Sequence, residues 1–256
     1  MKNTWQFIDR TGEENINNLG SKMIIIKYLN AHNIEVYFPQ YDWKCNSNYQ
    51  LFKRGSIKSP FCKSVRGVGY IGEGKYKMSI DGKVTSAYKV WKDMIERCYN
   101  TDNIHERNHV YKDCYVCNEW LCFQNFAEWF YKNYYECNGQ LMCVDKDILF
   151  KGNKEYSDYY CMLVPQNINK LFTKSDRIRG RYPIGVSFEK GKFRASCNNG
   201  HKKQVFLGYY DTEEEAFESY KRFKENLIKE IADEYYELIP RELWKALWEY
   251  QVDIDD

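Results

Sequence analysis

The sequence predicts an α+β chain of 256 residues made of three small units. Three observations lead to that expectation. Short runs of β-branched and aromatic residues recur near both ends, broken by Gly, Asn and Asp. Two amphipathic helical stripes fill the middle. Charge is segregated although the net value is only +2: Lys170 to Phe206 holds ten Lys/Arg against Asp176 and Glu189, whereas Asp211 to Asp256 holds 15 acids against 6 bases. A basic block inside a near-neutral chain is the electrostatic footprint of a polyanion partner. The acidic end reads as a solvated helical surface.

Residues 22–38 read as two strands around a turn at Asn30–Asn33. Gly67, Gly69, Gly72 and Gly74 follow in a loop. Their spacing contains Gly67-x-Gly69-x-x-Gly72, but no helical pattern follows, so a nucleotide fingerprint is excluded. A hairpin follows instead, with Asp81-Gly82 as its type I′ turn. Residues 53–89 carry nine bases and two acids, so this part is basic as well. A helix is expected from about Ser86 to Cys98, with Val90, Trp91, Met94, Ile95 and Cys98 on one face. A loop to Tyr111 leads to a second helix, about 118–134, burying Trp120, Phe123, Phe126, Ala127 and Phe130.

LMCVDKDILF and YCMLV then read as strands, and PQNINKLF as a short helix with Pro165 near its first turn. Residues 173–182 form a basic linker. GVSF, KFRASC and QVFLGYY read as three strands. Asp211-Thr212 begins a helix with Glu213 to Glu215 in its first turn and Ala216, Phe217, Tyr220 and Phe223 on its buried face. A last helix follows Pro240.

No run of 18 apolar residues exists, so no membrane-spanning helix is expected. The start MKNTWQFIDRTGEEN lacks an apolar signal region, which points to the cytoplasm. The ten Cys are irregularly spaced, and Cys114-x-x-Cys117 is the only CxxC. Zinc would need a second pair, and Cys137 with Cys143 fits poorly. Buried free thiols are the expectation, and zinc is not.

Ordered motifs in the last third resemble AP2 domains. They are Gly185-Val186, Gly191-Lys192-Phe193, Leu207-Gly208-Tyr209, Thr212-Glu213-Glu214-Glu215-Ala216 and Tyr220. The resemblance implies a three-stranded sheet backed by one helix and docked in a DNA major groove, which admits a β-ribbon. It makes Lys190, Lys192 and Arg194 candidate contacts, Arg194 to guanine and the lysines to phosphate. Arg177, Arg179, Arg181, Lys202 and Lys203 complete the expected DNA-binding set. Ser187 and Glu189 stand where family members often carry Arg, so base preference does not carry over.

Residues 88–172 resemble the central part of phage-borne HNH-type homing endonucleases that also carry an AP2 domain. The matching residues include Trp91, Met94, Arg97-Cys98-Tyr99-Asn100, Cys114, Val116-Cys117, Glu119-Trp120, Val144-Asp145-Lys146-Asp147-Ile148, Gly152-Asn153-Lys154 and Ile168-Asn169. The resemblance implies a strand–loop–strand–helix site holding Mg²⁺ or Mn²⁺ against a phosphate. Asp145 falls at the first-strand ligand position, Asn169 at the helix ligand position, and Lys146 where the general base, usually His, is expected. All four His lie outside the motif; His105 and His109 fall in the preceding loop. Residues 15–80 are similar to a segment of the same phage proteins with no assigned chemistry.

The expected organisation is an N-terminal β-rich domain at 1–84, an HNH-like ββα domain at 85–172, the linker, and an AP2-like domain with a helical tail at 183–256. The expected function is DNA binding with metal-dependent phosphodiester hydrolysis, in the host bacterial cytoplasm. The alternative is an inactive HNH–AP2 protein: a DNA-binding regulator, or a phage factor that inhibits a host defence protein.

Overall fold

The computed structural model describes residues 8–100, 111, 113–172, 181–200 and 203–254. Its architecture is α+β, as the sequence predicts. The N-terminal unit is an antiparallel meander of β1 (Glu14–Ile16), β2 (Lys22–Asn30), β3 (Asn33–Phe38) and β4 (Trp43–Ser47), in that spatial order. Alternation turns Met23, Ile25, Ile34, Val36 and Phe38 to one side, where Phe52 of α1 (Tyr49–Lys53) joins them. The expected pair at 22–38 is therefore present. β4 and α1 extend it, and Asn48 caps α1 by accepting from the Leu51 amide at 2.9 Å.

The glycine segment is a close-packed strap. A Cβ on Gly72 would meet Cys122 Sγ at 2.6 Å, and one on Gly74 would approach the Gln124 side chain just as tightly. Gln124 clamps the strap from below, accepting from the Tyr76 amide at 3.0 Å and donating to its carbonyl at 2.9 Å. These glycines serve backbone approach. Beyond them β5 (Ser79–Ile80) and β6 (Lys83–Val84) form the expected hairpin, with Asp81 and Gly82 both at positive φ as a type I′ turn requires.

α2 (Ser86–Tyr99) is capped by Thr85 and buries Ala87, Trp91, Met94 and Ile95. The helix expected at about 118–134 divides. Glu119–Leu121 is a 3-10 turn, Cys122 is extended, and α3 runs Phe123–Asn133. Tyr70 causes the break: its amide donates to the Leu121 carbonyl and its carbonyl accepts from the Phe123 amide, both at 2.9 Å. One crossing strand thus replaces two helical hydrogen bonds with two of its own. α2 and α3 enclose the aromatic core of the middle unit, where the indole of Trp91 donates to the Trp120 carbonyl at 2.7 Å.

Two small sheets flank that core. β7 (Tyr115–Val116) pairs in parallel with β9 (Glu155–Tyr156). β8 (Met142–Asp145) pairs antiparallel with β10 (Met162–Pro165), and α4 (Gln166–Asn169) follows directly, Pro165 serving as its N-cap residue.

The C-terminal sheet is β11 (Val186–Glu189), β12 (Lys192–Asn198) and β13 (Gln204–Tyr210), antiparallel and in sequence order. α5 (Glu213–Glu234) begins with a full capping box between Thr212 and Glu215. Gly185 explains the pairing of that glycine with Tyr220 in the sequence motif. A Cβ there would overlap the Tyr220 ring at 2.0 Å, so the helix seats an aromatic face on bare backbone.

α5 is longer than its sheet-facing stripe suggests. Phe217 and Tyr220 cover the sheet, but Ile228 and Ala232 enter another core with Leu243 and Leu247 of α6 (Arg241–Trp248). That core also contains Ile148, Val164, Ile168 and Leu171 from around β8, β10 and α4. The segment 173–182 therefore separates the sheet from the middle unit in sequence, while α5 and α6 join the two through one hydrophobic core. No described helix is long and apolar enough to cross a membrane.

Candidate functional site

Asp145 ends β8, where the strand must turn. Its Oδ1 accepts from the amides of Asp147 at 2.8 Å and Ile148 at 2.7 Å, an Asx arrangement that fixes the start of the loop. Burial pushes its carboxyl above the ordinary Asp value, and the two amides only partly oppose that shift. Directly opposite, Met162 of β10 is its cross-strand partner. Asn169 closes α4, which packs on both strands. β8, the segment after it, β10 and α4 thus follow one another as strand, loop, strand and helix, with Asp145 at the end of the first strand and Asn169 at the end of the helix.

Lys146, the first residue past β8, is 5 % exposed. Its ammonium donates to the Asn153 carbonyl at 2.6 Å and to Asp147 Oδ2 at 2.7 Å, 5.9 Å from the centre of the Tyr156 ring. An amine so held is a pin across the loop, with two of its three protons already committed. Asn153 is the residue whose role the sequence left unassigned. Its Nδ2 donates to the carbonyls of Lys146 at 3.1 Å and Glu155 at 2.7 Å, and its Oδ1 accepts from the Glu155 amide at 3.1 Å. Lys146 and Asn153 together staple the two ends of the 146–155 loop.

Arg97 is a second unassigned group. It lies in the last turn of α2, which packs against β8, with its guanidinium 5.7 Å from the centre of the Tyr111 ring. Burial alone would lower its pKa, but Tyr111, Tyr156 and Asp93 outweigh burial and raise it. It is a fixed cation beside the strand that carries Asp145. Its signal in the sequence was its place in the Arg97-Cys98-Tyr99-Asn100 run.

The protein has ten free thiols. Burial pushes Cys98 up to about 12 and Cys117 up to about 11, so both hold their protons at neutral pH. Among the described residues no three His, Cys, Asp or Glu side chains form a metal-holding group. His32 lies in the β2–β3 turn. His105, His109 and His201 fall outside the described residues.

The second candidate surface is the sheet face away from α5. Ser187, Arg194 and Tyr209 lie side by side across the three strands, as do Glu189 and Lys192 across the first two. Arg194 Nε pairs with Glu189 Oε1 at 3.3 Å, and the Tyr209 hydroxyl donates to the same oxygen at 2.9 Å. The guanidinium also lies 5.6 Å from the centre of the exposed Phe206 ring. Lys192 pairs with Asp211 at 3.0 Å. Lys190 occupies the hairpin tip with φ 53°, fully outward, followed by Gly191 at 79°. Arg181 donates to the Tyr182 hydroxyl at 2.7 Å, and Tyr182 packs on Phe188 and Phe193 at the sheet end. Lys203 is exposed at the start of β13, while Arg177, Arg179 and Lys202 lie outside the described residues.

Thus Arg181, Lys190, Lys192, Arg194 and Lys203 are all mounted on this module, and Lys192 and Arg194 already have carboxylate partners. Exposed pairs of this kind are worth about 0–1 kcal/mol, little enough for a phosphate or a base edge to replace the carboxylate. No protein-family model, curated protein or solved structure matches the chain.

Proposed function

We propose that the chain is a phage-type DNA-binding protein of HNH-endonuclease design, cutting DNA phosphodiesters in the host cytoplasm. The observation that carries this reading is the β8–β10–α4 unit, which fixes Asp145 at a loop mouth while sharing a core with the helix behind the C-terminal sheet. Double-stranded DNA held on the sheet would then be held in a defined position relative to Asp145.

The donor set fits Mg²⁺ or Mn²⁺. Both ions favour oxygen ligands, and Mg²⁺ keeps several waters while taking only one or two carboxylates. Asp145 and Asn169 would hold the ion, which would supply charge stabilisation at the phosphate and the leaving oxygen. Asp145 would contribute its Oδ2, because Oδ1 is occupied by two amides. Lys146 and Asn153 would keep the loop closed around it. Arg97 would add fixed positive charge beside β8.

A supercoiled-plasmid assay with Mg²⁺ or Mn²⁺ tests this. Nicking by the wild type, abolished by Asp145→Ala and by Asp145→Asn, is expected. Nicking that survives both substitutions removes this site.

One observation favours a second reading. The amine at the base position is buried and doubly bonded, which suits an inactive scaffold that binds DNA as a regulator or neutralises a host defence protein. Salt-dependent DNA binding without nicking would select the regulator. Failure of both binding and nicking would point to a protein partner.

A further inference from the structure

The β5–β6 hairpin is the least explained element of the fold. It is a two-stranded sheet paired to no other described strand, and every residue from Lys77 to Val84 is exposed. Three of those side chains are apolar: Met78 is 43 % exposed, Ile80 56 % and Val84 61 %. Lone hairpins are marginal in water, so an element this bare needs another source of order.

Its base supplies that order. The Thr85 amide donates to the Met78 carbonyl at 2.9 Å, and the Thr85 hydroxyl donates to the Lys77 carbonyl at 3.0 Å. Gln124 of α3 holds both backbone groups of Tyr76. The ribbon is thus rooted in two helices of the middle core and bare beyond that root.

Its charge is one-sided. Lys75, Lys77 and Lys83 face only Asp81 within residues 75–84. Lys75 pairs with Glu128 at 3.8 Å, whereas Lys77 and Lys83 have no acidic partner among the described residues. The register places Ile80 opposite Lys83 on one face, and Val84 opposite Ser79 on the other. One face therefore sets an apolar side chain beside a lysine, and the other sets one beside a serine.

We propose that this hairpin is a second DNA-contacting element, a ribbon that enters the major groove some base pairs away from the candidate cutting site. The inference rests on the DNA-binding reading above and extends it to a surface outside both expected modules. A two-stranded ribbon fits a groove about 12 Å wide, with apolar side chains against thymine methyls and lysines against flanking phosphates. The distance suits a single duplex. α2 begins at the ribbon and ends beside β8; its 14 residues at about 1.5 Å each give about 21 Å, or about six base pairs of DNA.

The test measures affinity for a mixed-sequence duplex over a salt series, using the full chain. Lys77→Ala/Lys83→Ala is compared with wild type and with Lys92→Ala/Lys245→Ala, which removes two lysines elsewhere. All four lie on the surface, and circular dichroism checks that each variant folds. Losing two phosphate contacts should flatten the slope of log affinity against log salt by about 1.8 and weaken binding roughly tenfold or more at moderate salt. The control pair should change neither. Ile80→Ser/Val84→Ser should weaken binding without changing the slope. Wild-type binding that Lys77→Ala/Lys83→Ala leaves unaltered overturns the ribbon proposal alone. No wild-type binding overturns the DNA reading and the ribbon with it. A wild-type dimer that Ile80→Ser/Val84→Ser dissolves would assign the hairpin to a second copy of this chain, and also overturns it.

Discussion

Gly185→Ala should cost far more than Gly191→Ala, although the two glycines share a backbone conformation. Gly185 has φ 80° and Gly191 φ 79°. A side chain in that left-handed region costs about 1–2 kcal/mol at either position. Only Gly185 faces an obstacle: its added Cβ would lie 2.0, 2.4 and 2.5 Å from three atoms of the Tyr220 ring, whereas at Gly191 nothing lies within 4 Å. Tyr220 is buried between α5 and the sheet, so relief means moving the helix or expelling the ring. Overpacking of this kind costs about 1–3 kcal/mol. The difference between the two variants should therefore be about 1–3 kcal/mol, with Gly185→Ala near 2–5 kcal/mol in total. At about 2–4 °C per kcal/mol, Gly185→Ala should melt roughly 4–20 °C below wild type. Thermal circular dichroism on wild type and both variants decides it. Equal melting points for the two variants would refute the seating of Tyr220 on Gly185, and with it the docking of α5 that presents the sheet.

Three further outcomes follow from the site and its support. Burial raises the Asp145 carboxyl above its unfolded value, so the stability it contributes is full below the ordinary carboxylate range and is lost as pH rises through the raised folded value. Asp145→Asn keeps an oxygen for the Asp147 and Ile148 amides and cannot ionise; its stability relative to wild type should rise between about pH 4 and pH 7, and urea unfolding that shows a flat or falling difference would contradict the shift. Lys146→Met leaves the Asn153 carbonyl without its donor and should lower stability by about 1–3 kcal/mol in urea; an unchanged midpoint combined with lost nicking would make Lys146 a chemical group and not a pin. Leu243→Ala, fully buried in the core shared by α5, α6 and the β8–β10–α4 unit, should cost about 2–5 kcal/mol. Hydrogen exchange should then quicken in β8 and β10 as well as in α6, and quickening confined to α6 would deny the shared core.

What the sequence made legible was what depends on neighbours in the chain. The Asp81-Gly82 turn, the α2 stripe, the Thr212 cap and the three C-terminal strands follow from local spacing and turn chemistry, and all are present. The broken helix at Cys122 was not legible, because its cause is Tyr70, some fifty residues earlier, supplying hydrogen bonds that helix propensity cannot anticipate. The stretch Gly72 to Gly74 was legible as a loop but not as a strap, since its reason is the Cys122 and Gln124 side chains.

The candidate site divides along the same line. The resemblance singled out Asp145 and Asn169 as ligand positions, and they end β8 and α4 respectively. The direction of Lys146 was not assigned, because it lies just past β8, where the Asp145 turn and not strand alternation sets its side. A buried charged amine needs acceptors within reach, and the Asn153 carbonyl and the half-exposed Asp147 carboxylate provide them. The residue that departs from what the resemblance implies is thus one that ties the loop together, through Asp147 and the Asn153 carbonyl. A His at 146 would face the same inward side and lack the reach of a Lys to the Asn153 carbonyl. A base serving Asp145 would have to come from another strand, from a segment outside the described residues such as that of His105 and His109, or from outside the chain. Any group that completes a site at Asp145 must approach its Oδ2, because Oδ1 is already held by the Asp147 and Ile148 amides.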